Sequence, residues 1–482
     1  MAGCKEWALC VSVEVKPVVL PCVGAGGRLK CGSFMSRIVS EARATLLLAV
    51  PIILGQVGQM LMGAADSVMI GQVGTVPLAA SAFANSVFAF FYVSGLGLCF
   101  PVAVLVSRAH GAGRAAECGV WLRHGLAVAL STGVVVAVAM EVLGGQLGRL
   151  GQPPEVVVAA QPFFALIAVS LIPALAFQAF RQFAEAVGRP WLPMAIMLSG
   201  VLLNVGLNWI LIYGHCGVPA LGLTGAGVAT LTSRWVDLLV LWFILRTHRP
   251  LRPNWPVHWW GRLEWVRLQE LLRIGVPASG QLVFEVGAFT VAAWMMGRLG
   301  TVPLAAHQIA LSCASMTFMF PLGLSMASGM RVSQALGAGQ PERVRPIGHG
   351  SLGMACLVMG TFGVVFWLAG PVIARGFVND AAVVALAGQL LAVAALFQLF
   401  DGGQVVGAGL LRGLSDMKVP TLITFVAYWC IMLPTAYWWG VRGGSPVGVW
   451  QALAFGLAGA AVLLAWRFHW RTRRLAGEQG RK

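Results

Sequence analysis

Twelve apolar segments follow one another along this 482-residue chain, and each is long enough for a helix to cross the roughly 30 Å hydrocarbon core of a bilayer. Hydrophobic residues make up 58% of the chain and charged residues only 10%, against about 25% charged residues in soluble domains. The segments lie near 44–70, 78–104, 122–143, 157–180, 191–213, 224–245, 274–296, 304–328, 350–372, 382–410, 419–439 and 447–466. Strand-type alternation is lacking, so the sequence predicts an all-α polytopic membrane protein. It excludes a soluble enzyme, a nucleic-acid-binding protein and a disordered chain.

An internal repeat relates the two halves of the chain. The seven residues Gly74-Thr-Val-Pro-Leu-Ala-Ala80 recur unchanged at 300–306, an offset of 226 residues. Further matches at this offset are Val50-Pro51 with Val276-Pro277, Leu96-Gly-Leu98 with Leu322-Gly-Leu324, and Gly111-Ala-Gly113 with Gly337-Ala-Gly339. An even number of helices separates the copies, so both halves cross the membrane in the same orientation. The predicted fold is twelve transmembrane helices in two parallel six-helix repeats, and parallel repeats around a central cavity are typical of transporters.

Composition divides the chain into five parts. Residues 1–35 do not fit the rest, and Met35 opens a more natural start, so we interpret them as an extension outside the native chain, with a targeting segment as the alternative. An N-lobe (36–245) and a C-lobe (274–470) each hold six helices. The linker 246–273 is rich in Arg and Trp, and its amphipathic end is predicted to lie on the membrane surface. Residues 471–482 form a basic tail.

Loop charges predict the orientation. One set of connections, together with both flanks, carries 24 Lys and Arg residues, whereas the opposite connections carry four: Arg149, Arg298, Arg375 and Arg442. Because positive charge is retained on the cytoplasmic side, both termini are expected in the cytoplasm, with the protein in the inner (plasma) membrane. The net charge of +16 then needs no nucleic-acid partner.

Ionisable residues inside the apolar segments are the candidates for chemistry, since each costs about 2.5–3.5 kcal/mol at the centre of a helix. They are Asp66 in the first segment, Glu285 in the seventh, Asp401 in the tenth, and Arg234 with Asp237 in the sixth. Arg234 and Asp237 are three residues apart and can pair locally. We interpret the other three acids as functional. Two carboxylates facing one cavity cannot both ionise cheaply, so they can hold a proton or a sodium ion or face a cationic substrate, but not all at once.

Neutral polar residues in the segments allow two interpretations. Asn204 and Asn208 lie one turn apart on the same helix face, where they either bond a neighbouring helix or join Asp66 in a polar cluster. Gln178 and Gln398 either pack between helices or line a cavity.

In combination, these features resemble the multidrug and toxic compound extrusion (MATE) family, specifically its NorM-like branch, from about residue 40 to 468. Besides the two Gly-Thr-Val-Pro-Leu-Ala-Ala copies, the resemblance rests on Val50-Pro51, Asp66-Ser-Val-Met-Ile-Gly71, Glu185-Ala-Val-Gly-Arg-Pro190, Phe284-Glu285, Phe397-Gln-Leu-Phe-Asp401-Gly-Gly403 and Leu411-Arg-Gly-Leu-Ser-Asp416. Together the motifs are specific for this family, whereas any one of them alone is weak evidence for it.

This resemblance implies export of amphipathic organic cations, such as drugs and dyes, in exchange for sodium ions or protons. It implies that Asp66, Glu285 and Asp401 are the functional acids, with Glu285 and Asp401 as possible sodium ligands. No other cofactor and no enzymatic activity are expected, and we expect a monomer surrounded by membrane lipids. Phe397 stands where some relatives have Tyr, which removes a hydroxyl group from the cation site and leaves the choice between sodium and protons open.

Two other functions deserve comparison. A flippase for lipid-linked oligosaccharides, also found in the wider superfamily, needs Arg or Lys in its cavity to meet an anionic pyrophosphate, whereas the deep residues here are mainly acids. A membrane-embedded enzyme is disfavoured because the chain has no HExxH or GxSxG motif. No Walker A pattern is present either, so ATP is not the expected energy source.

Overall fold

A computed structural model describes residues 31–149, 153–259 and 261–479. Most of the proposed N-terminal extension and the end of the basic tail lie outside these residues. Within them, twelve helices are long and apolar enough to span a membrane. They are α1 (Met35–Gly71), α2 (Thr75–Gly111), α3 (Ala115–Gly144), α4 (Pro154–Ala186), α5 (Trp191–Tyr213), α6 (Gly222–Thr247), α7 (Trp265–Leu299), α8 (Thr301–Gly337), α9 (Pro341–Arg375), α10 (Ala381–Gly413), α11 (Lys418–Arg442) and α12 (Pro446–Leu475).

The twelve helices confirm the predicted fold class, and the described residues contain no strand. The end of the linker is helical. Residues 265–273 are the first turns of α7 and continue without a break into the span. The physical reason is that no Gly or Pro interrupts the chain between Trp265 and Ile274, so nothing separates the amphipathic turns from the apolar ones.

The repeated seven-residue motif forms the tight turn into the second helix of each lobe. Gly74 and Gly300 have φ values of 154° and 129°, a region that side chains rarely adopt. Pro77 and Pro303 then occupy the first turn of α2 and α8, where a backbone N–H has no helical partner to lose. The Gly and Pro residues of the motif therefore recur in both halves because they fit the backbone conformation of this turn.

The buried apolar residues show how the lobes meet. At the end of the molecule where α1 begins, one cluster draws residues from both lobes, among them Phe100, Phe180, Ile274 and Met330. At the opposite end, one cluster lies in the N-lobe and contains Ile70, Met140 and Phe164, while another lies in the C-lobe and contains Met296, Leu391 and Trp450. Among the described residues, the buried cores of the two lobes merge only at the end where α1 begins and are separate at the opposite end, which we call the cleft end.

Close backbone contacts between α2 and α8 seal the shared end, and the two contacts lie at positions related by the 226-residue repeat. A Cβ atom added to Gly111 in α2 would lie 2.1 Å from the carbonyl oxygen of Gln334, and one added to Gly337 in α8 would lie 2.0 Å from that of Arg108. Each glycine and its contact are exchanged by the 226-residue offset (111 to 337, 108 to 334). Only glycine allows α2 and α8 to approach so closely.

An ion-pair cluster ties the lobes together at this end. Glu41 of α1 accepts hydrogen bonds from the guanidinium groups of Arg331 in α8 and Arg343 in the first turn of α9. Arg331 also donates to the hydroxyl of Thr45 at 2.9 Å. Glu41 and Arg331 are each about one-tenth exposed, whereas Arg343 is 44% exposed. Loss of either partner of the Glu41–Arg331 pair would therefore leave an uncompensated buried charge, whereas loss of the exposed Arg343 would not.

Two of the spanning helices are irregular. Helix α4 is interrupted at Ser170, between the segments Pro154–Val169 and Leu171–Ala186. Helix α11 contains two π-helical stretches, Val426–Met432 and Tyr437–Arg442. Such widened turns are rare, and they are frequent at functional sites.

Candidate functional site

Two aromatic rings define the register of α7 against α10 in the C-lobe. Phe289 and Phe397 meet edge to face, with ring centroids 6.1 Å apart. Because the two helices cross the membrane in opposite directions, one turn before Phe289 and one turn after Phe397 lie at the same level. Those positions are Glu285 and Asp401, whose side chains are buried and interact electrostatically. The structure thus brings together two of the acids selected from the sequence.

Helix α11 brings a hydroxyl group to the same region. The indole N–H of Trp429 donates a 3.1 Å hydrogen bond to the carbonyl oxygen of Phe284, which holds the first π-helical stretch beside Glu285. The neighbouring residue, Tyr428, is fully buried, and its hydroxyl has no hydrogen-bond partner. It interacts electrostatically with both acids.

Two glutamines lie one turn from the acids. Gln281 precedes Glu285 by four residues and Gln404 follows Asp401 by three, so each shares a helix face with its acid. Both are buried. Gln404 lies beside Glu285 without forming a hydrogen bond of good geometry, and neither its amide atoms nor Gln281 Oε1 has a partner. The acids therefore sit among buried polar atoms that no described side chain or backbone group satisfies.

Two further buried polar residues of α10 have distinct roles. Gln398 donates a 2.5 Å hydrogen bond from Nε2 to Thr317 Oγ1, which links α10 to α8. Arg412, counted among the loop charges in the sequence analysis, is a buried residue of α10. Its guanidinium lies 3.9 Å from the ring centroid of Phe100 in the N-lobe, and its charge acts on Glu285. The tenth helix therefore contains a buried cation as well as a buried acid.

Asp66 lies in a polar cluster of the N-lobe. Asn208 Nδ2 donates to Asp66 Oδ1 at 2.5 Å and is 3.2 Å from Asn204 Oδ1. Both asparagines are fully buried. Of the two interpretations of Asn204 and Asn208, the structure shows the one in which they join Asp66.

A pocket opens beside this cluster, between α1, α2, α4, α5 and α6. Gln178 lines it and donates a 2.9 Å hydrogen bond to the hydroxyl of Tyr92, and Gln59 reaches the same hydroxyl at 3.4 Å. Arg181 also lines the pocket, while its guanidinium pairs with Glu185 at 2.7 Å. The apolar wall consists of Met62, Ala174, Phe177, Met197 and Val201. Gln178 is thus a cavity residue as well as a packing residue.

Arg234 and Asp237 line the same pocket, but they do not form the expected ion pair. The Arg234 guanidinium donates a 2.5 Å hydrogen bond to Ser170 Oγ and lies 4.4 Å from the ring centroid of Phe88. The interruption of α4 lies at Ser170, whose hydroxyl accepts this hydrogen bond. Asp237 packs against Gly200 of α5, where any Cβ atom would collide with its carboxyl oxygens.

Sequence reasoning missed the neutral groups around the acids. For Gln281 and Gln404 the signal was present, because each lies one turn from an acid that had been selected. For Tyr428 and Tyr92 there was none, since each reaches its site from a different helix, and helix pairing is not visible in one sequence.

Two parallel six-helix repeats that share a core at one end, with acids inside the spans of both, have the architecture of a secondary transporter. The MatE family model matches the chain twice, over residues 51–210 and 277–438. These matches begin 226 residues apart (277 − 51), which is the offset of the repeat. The chain belongs to the MatE family. It is an integral membrane protein and a transporter rather than an enzyme, as the resemblance implied.

Named relatives agree with this assignment. The chain is 38% identical over 445 residues to a probable multidrug resistance protein NorM of Pseudomonas syringae pv. tomato, covering 89% of this chain and 95% of that protein. It is 38% identical over 458 residues to the NorM protein of Pseudomonas putida, covering 92% and 97%. These matches confirm the NorM-like branch.

Solved structures share the fold at lower identity. The eukaryotic MATE transporter AtDTX14 superimposes with a TM-score of 0.82 at 20% identity, covering 91% of this chain and 98% of its own. A multidrug resistance MATE family transporter of the MOP superfamily, solved in an outward-facing conformation, gives a TM-score of 0.84 at 20% identity, covering 90% and 96%.

Proposed function

We propose that this protein exports amphipathic organic cations, including drugs and dyes, in exchange for sodium ions or protons. The observation that carries the proposal is the buried pair Glu285 and Asp401, on facing helices, since neither is in an ion pair with any described residue. A carboxylate inside a membrane without a resident ion-pair partner is available to an incoming cation. The relatives that carry the name multidrug resistance protein support the substrate class.

Exchange follows from competition for the same charge. A lipophilic cation, a sodium ion and a proton each neutralise the carboxylates, and binding of one lowers the affinity for the next. One charge moving through 100 mV releases about 2.3 kcal/mol, equivalent to roughly a fifty-fold gradient of the exported molecule. The aromatic and Met side chains of the pocket provide a polarizable wall for substrates of varied shape.

The direction of transport depends on the orientation in the membrane. We place the protein in the inner (plasma) membrane, as a monomer with both termini in the cytoplasm. In that orientation the shared core closes the cytoplasmic end, and the cleft faces outward. An ion from outside then enters the cleft, neutralises Glu285 and Asp401, and displaces the drug before the lobes reverse.

The flippase alternative is less well supported. It needs cations that are free to meet a lipid pyrophosphate. Arg181 is already paired with Glu185, and Arg234 shares its pocket with Asp237. We therefore favour export of cations.

Uptake of a cationic dye into inverted vesicles, which corresponds to export from the cell, tests the proposal when it is energised first by a sodium gradient and then by a pH gradient. Glu285→Gln and Asp401→Asn should each abolish export, because they keep size and hydrogen bonding but remove the charge for which ion and drug compete. Expression should stay near normal, since each change relieves an insertion cost of about 2–3 kcal/mol. Glu141→Gln is the matched control, because this acid lies in α3 with its side chain exposed. Wild-type export under both gradients in both variants would end the assignment and move the ion site to Asp66.

A further inference from the structure

We propose that His124 is a proton-sensitive latch, which fastens the linker between the lobes to α3 and releases it in acid, so that transport slows. His124 lies in α3, close to the end of the molecule where α1 begins, and its side chain is fully buried. The inference goes beyond the proposed exchange function, because it concerns the joint between the lobes. It does not depend on which ion or drug is transported.

The contacts of the imidazole ring determine its protonation state. Nδ1 lies 2.8 Å from the carbonyl oxygen of Val120, which can only accept a hydrogen bond, so Nδ1 carries a proton. Nε2 accepts a 2.9 Å hydrogen bond from the backbone N–H of Glu264, so Nε2 carries none. One neutral tautomer of His124 satisfies both contacts. A second proton would place an N–H group against the N–H of Glu264 and remove this hydrogen bond.

The linker is docked on the N-lobe by contacts that precede this one along the chain. The guanidinium of Arg123 in α3 donates to the carbonyl oxygen of His258 at 2.8 Å and to that of Arg262 at 3.0 Å. The ring of Trp255 stacks on Phe180 of α4, with ring centroids 6.2 Å apart. The linker is therefore packed as a part of the N-lobe.

The latch lies where the linker ends and the C-lobe begins. Glu264 directly precedes Trp265, the first residue of α7. Its carbonyl oxygen accepts hydrogen bonds from the backbone N–H groups of Arg267 and Leu268, both at 3.1 Å, so Glu264 begins the first turn of that helix. While His124 holds the amide of Glu264, the start of α7 is anchored on α3. Release of this amide loosens the joint about which the lobes rotate, and a looser joint guides their rotation less well.

The charges around the ring oppose a second proton. Arg123 on the same helix and Arg267 on the first turn of α7 both act on His124 with a positive charge. Among the described residues, the carboxylate of Glu264 is the negative group that acts on it. This carboxylate is already paired with the Arg267 guanidinium at 2.7 Å. A charged imidazole would therefore lack compensation in the docked arrangement, so protonation and docking exclude each other.

The size of the pH response follows from the ordinary titration of histidine. A free histidine side chain has a pKa of about 6.5, so it is about 91% neutral at pH 7.5 and about 9% neutral at pH 5.5. Only the neutral ring can dock. Docking is therefore fully favoured above this pKa and is lost as the pH falls through it. The ratio of docked to undocked linker should fall about tenfold between pH 7.5 and pH 5.5.

Hydrogen exchange of the purified full chain in detergent tests the latch. The Glu264 amide is followed by mass spectrometry of overlapping peptides at pH 7.5 and 5.5, with rates corrected for the intrinsic effect of pH on exchange. His124→Gln keeps an acceptor oxygen within reach of this amide but cannot titrate, and His124→Phe removes the acceptor. His258→Gln is the matched control, because it makes the same change at an exposed histidine of the linker.

Protection of the Glu264 amide should fall about tenfold from pH 7.5 to pH 5.5 in the wild type and in His258→Gln. It should not depend on pH in His124→Gln, and it should be low at both pH values in His124→Phe. Equal protection at the two pH values in the wild type, a measurement that needs no variant, would overturn the proposal. A tenfold fall that persists in His124→Gln would overturn it as well.

Transport is measured as the exchange of labelled for unlabelled dye across proteoliposomes that have the same pH on both sides. The coupling acids are unchanged in His124→Gln, so any pH response that this variant loses belongs to the latch. From pH 7.5 to pH 5.5 the wild type should lose more exchange activity than the variant, by up to about tenfold. Identical pH profiles would overturn the effect of the latch on transport. Absence of dye exchange at both pH values would contradict the proposed function alone, because hydrogen exchange still decides the latch.

Discussion

Adding one methyl group at Gly111 or Gly337 should drive the protein out of the conformation described above. The new Cβ would lie 2.1 Å from the Gln334 carbonyl oxygen or 2.0 Å from that of Arg108, where ordinary contacts begin at 3.4 Å. Helices α2 and α8 must then separate by about 1.3 Å (3.4 − 2.1 Å) in Gly111→Ala. Neither contact can be relieved by a side-chain rotation, because both partners are backbone atoms.

Overpacking of this kind costs about 1–3 kcal/mol. In the opposite conformation of an alternating-access cycle the lobes part at this end, so the cost applies to the closed form alone. The ratio of closed to open molecules should therefore fall about 5- to 150-fold. Gly63→Ala and Gly353→Ala serve as controls, because a Cβ atom at either position meets nothing within 4 Å.

Distances between spin labels report this ratio directly. One pair, at Arg114 and Gln340, spans the lobes at the sealed end, and a second pair, at Gln72 and Arg298, spans them at the cleft. Each pair is related by the 226-residue offset. The glycine variants should lengthen the first distance and shorten the second, while the controls match the wild type. Identical distance distributions in all five proteins would refute the claim that the sealed end opens during the cycle.

The remaining predictions concern charge. Glu41→Gln should weaken closure of the sealed end by about 1.5–3 kcal/mol, because Arg331 stays buried without a counter-charge. Arg343→Gln should change the free energy of closure by less than about 1 kcal/mol, because Arg343 is exposed. The same spin labels measure both variants, and equal effects would contradict the reasoning. Asp66→Asn should reduce dye export less than Glu285→Gln does; complete loss would assign the proton to the N-lobe. A reporter active only outside the cytoplasm should stay silent when fused after Lys482, and activity there would reverse the predicted orientation.

Sequence alone predicted the parts of this molecule that depend on residues close together along the chain. The twelve spans follow from apolar length, and the repeat follows from identities at one offset. The acids follow from the cost of charge in a membrane. Gln281 and Gln404 were within reach of the same reasoning, since each is one turn from an acid.

The features that the sequence did not predict depend on which helices are in contact. Tyr428 approaches the acids from α11, a relation that only the Trp429–Phe284 contact reveals. Arg234 was expected to pair with Asp237, but the hydroxyl at the break in α4 is 64 residues away in sequence and could not be foreseen. Arg412 appeared to be a loop residue because the apolar run ends just before it, although the helix continues.

The shared core at one end has an energetic consequence for the whole cycle. Rigid lobes cannot be packed together at both ends at once, so reversal exposes apolar side chains such as Phe100, Phe180 and Met330 to water as it buries others across the cleft. The two hydrophobic terms largely cancel, and a bound ion or drug needs to supply only their difference. A few charges at mid-membrane are then sufficient to tip an equilibrium between two structures that each bury an extensive interface.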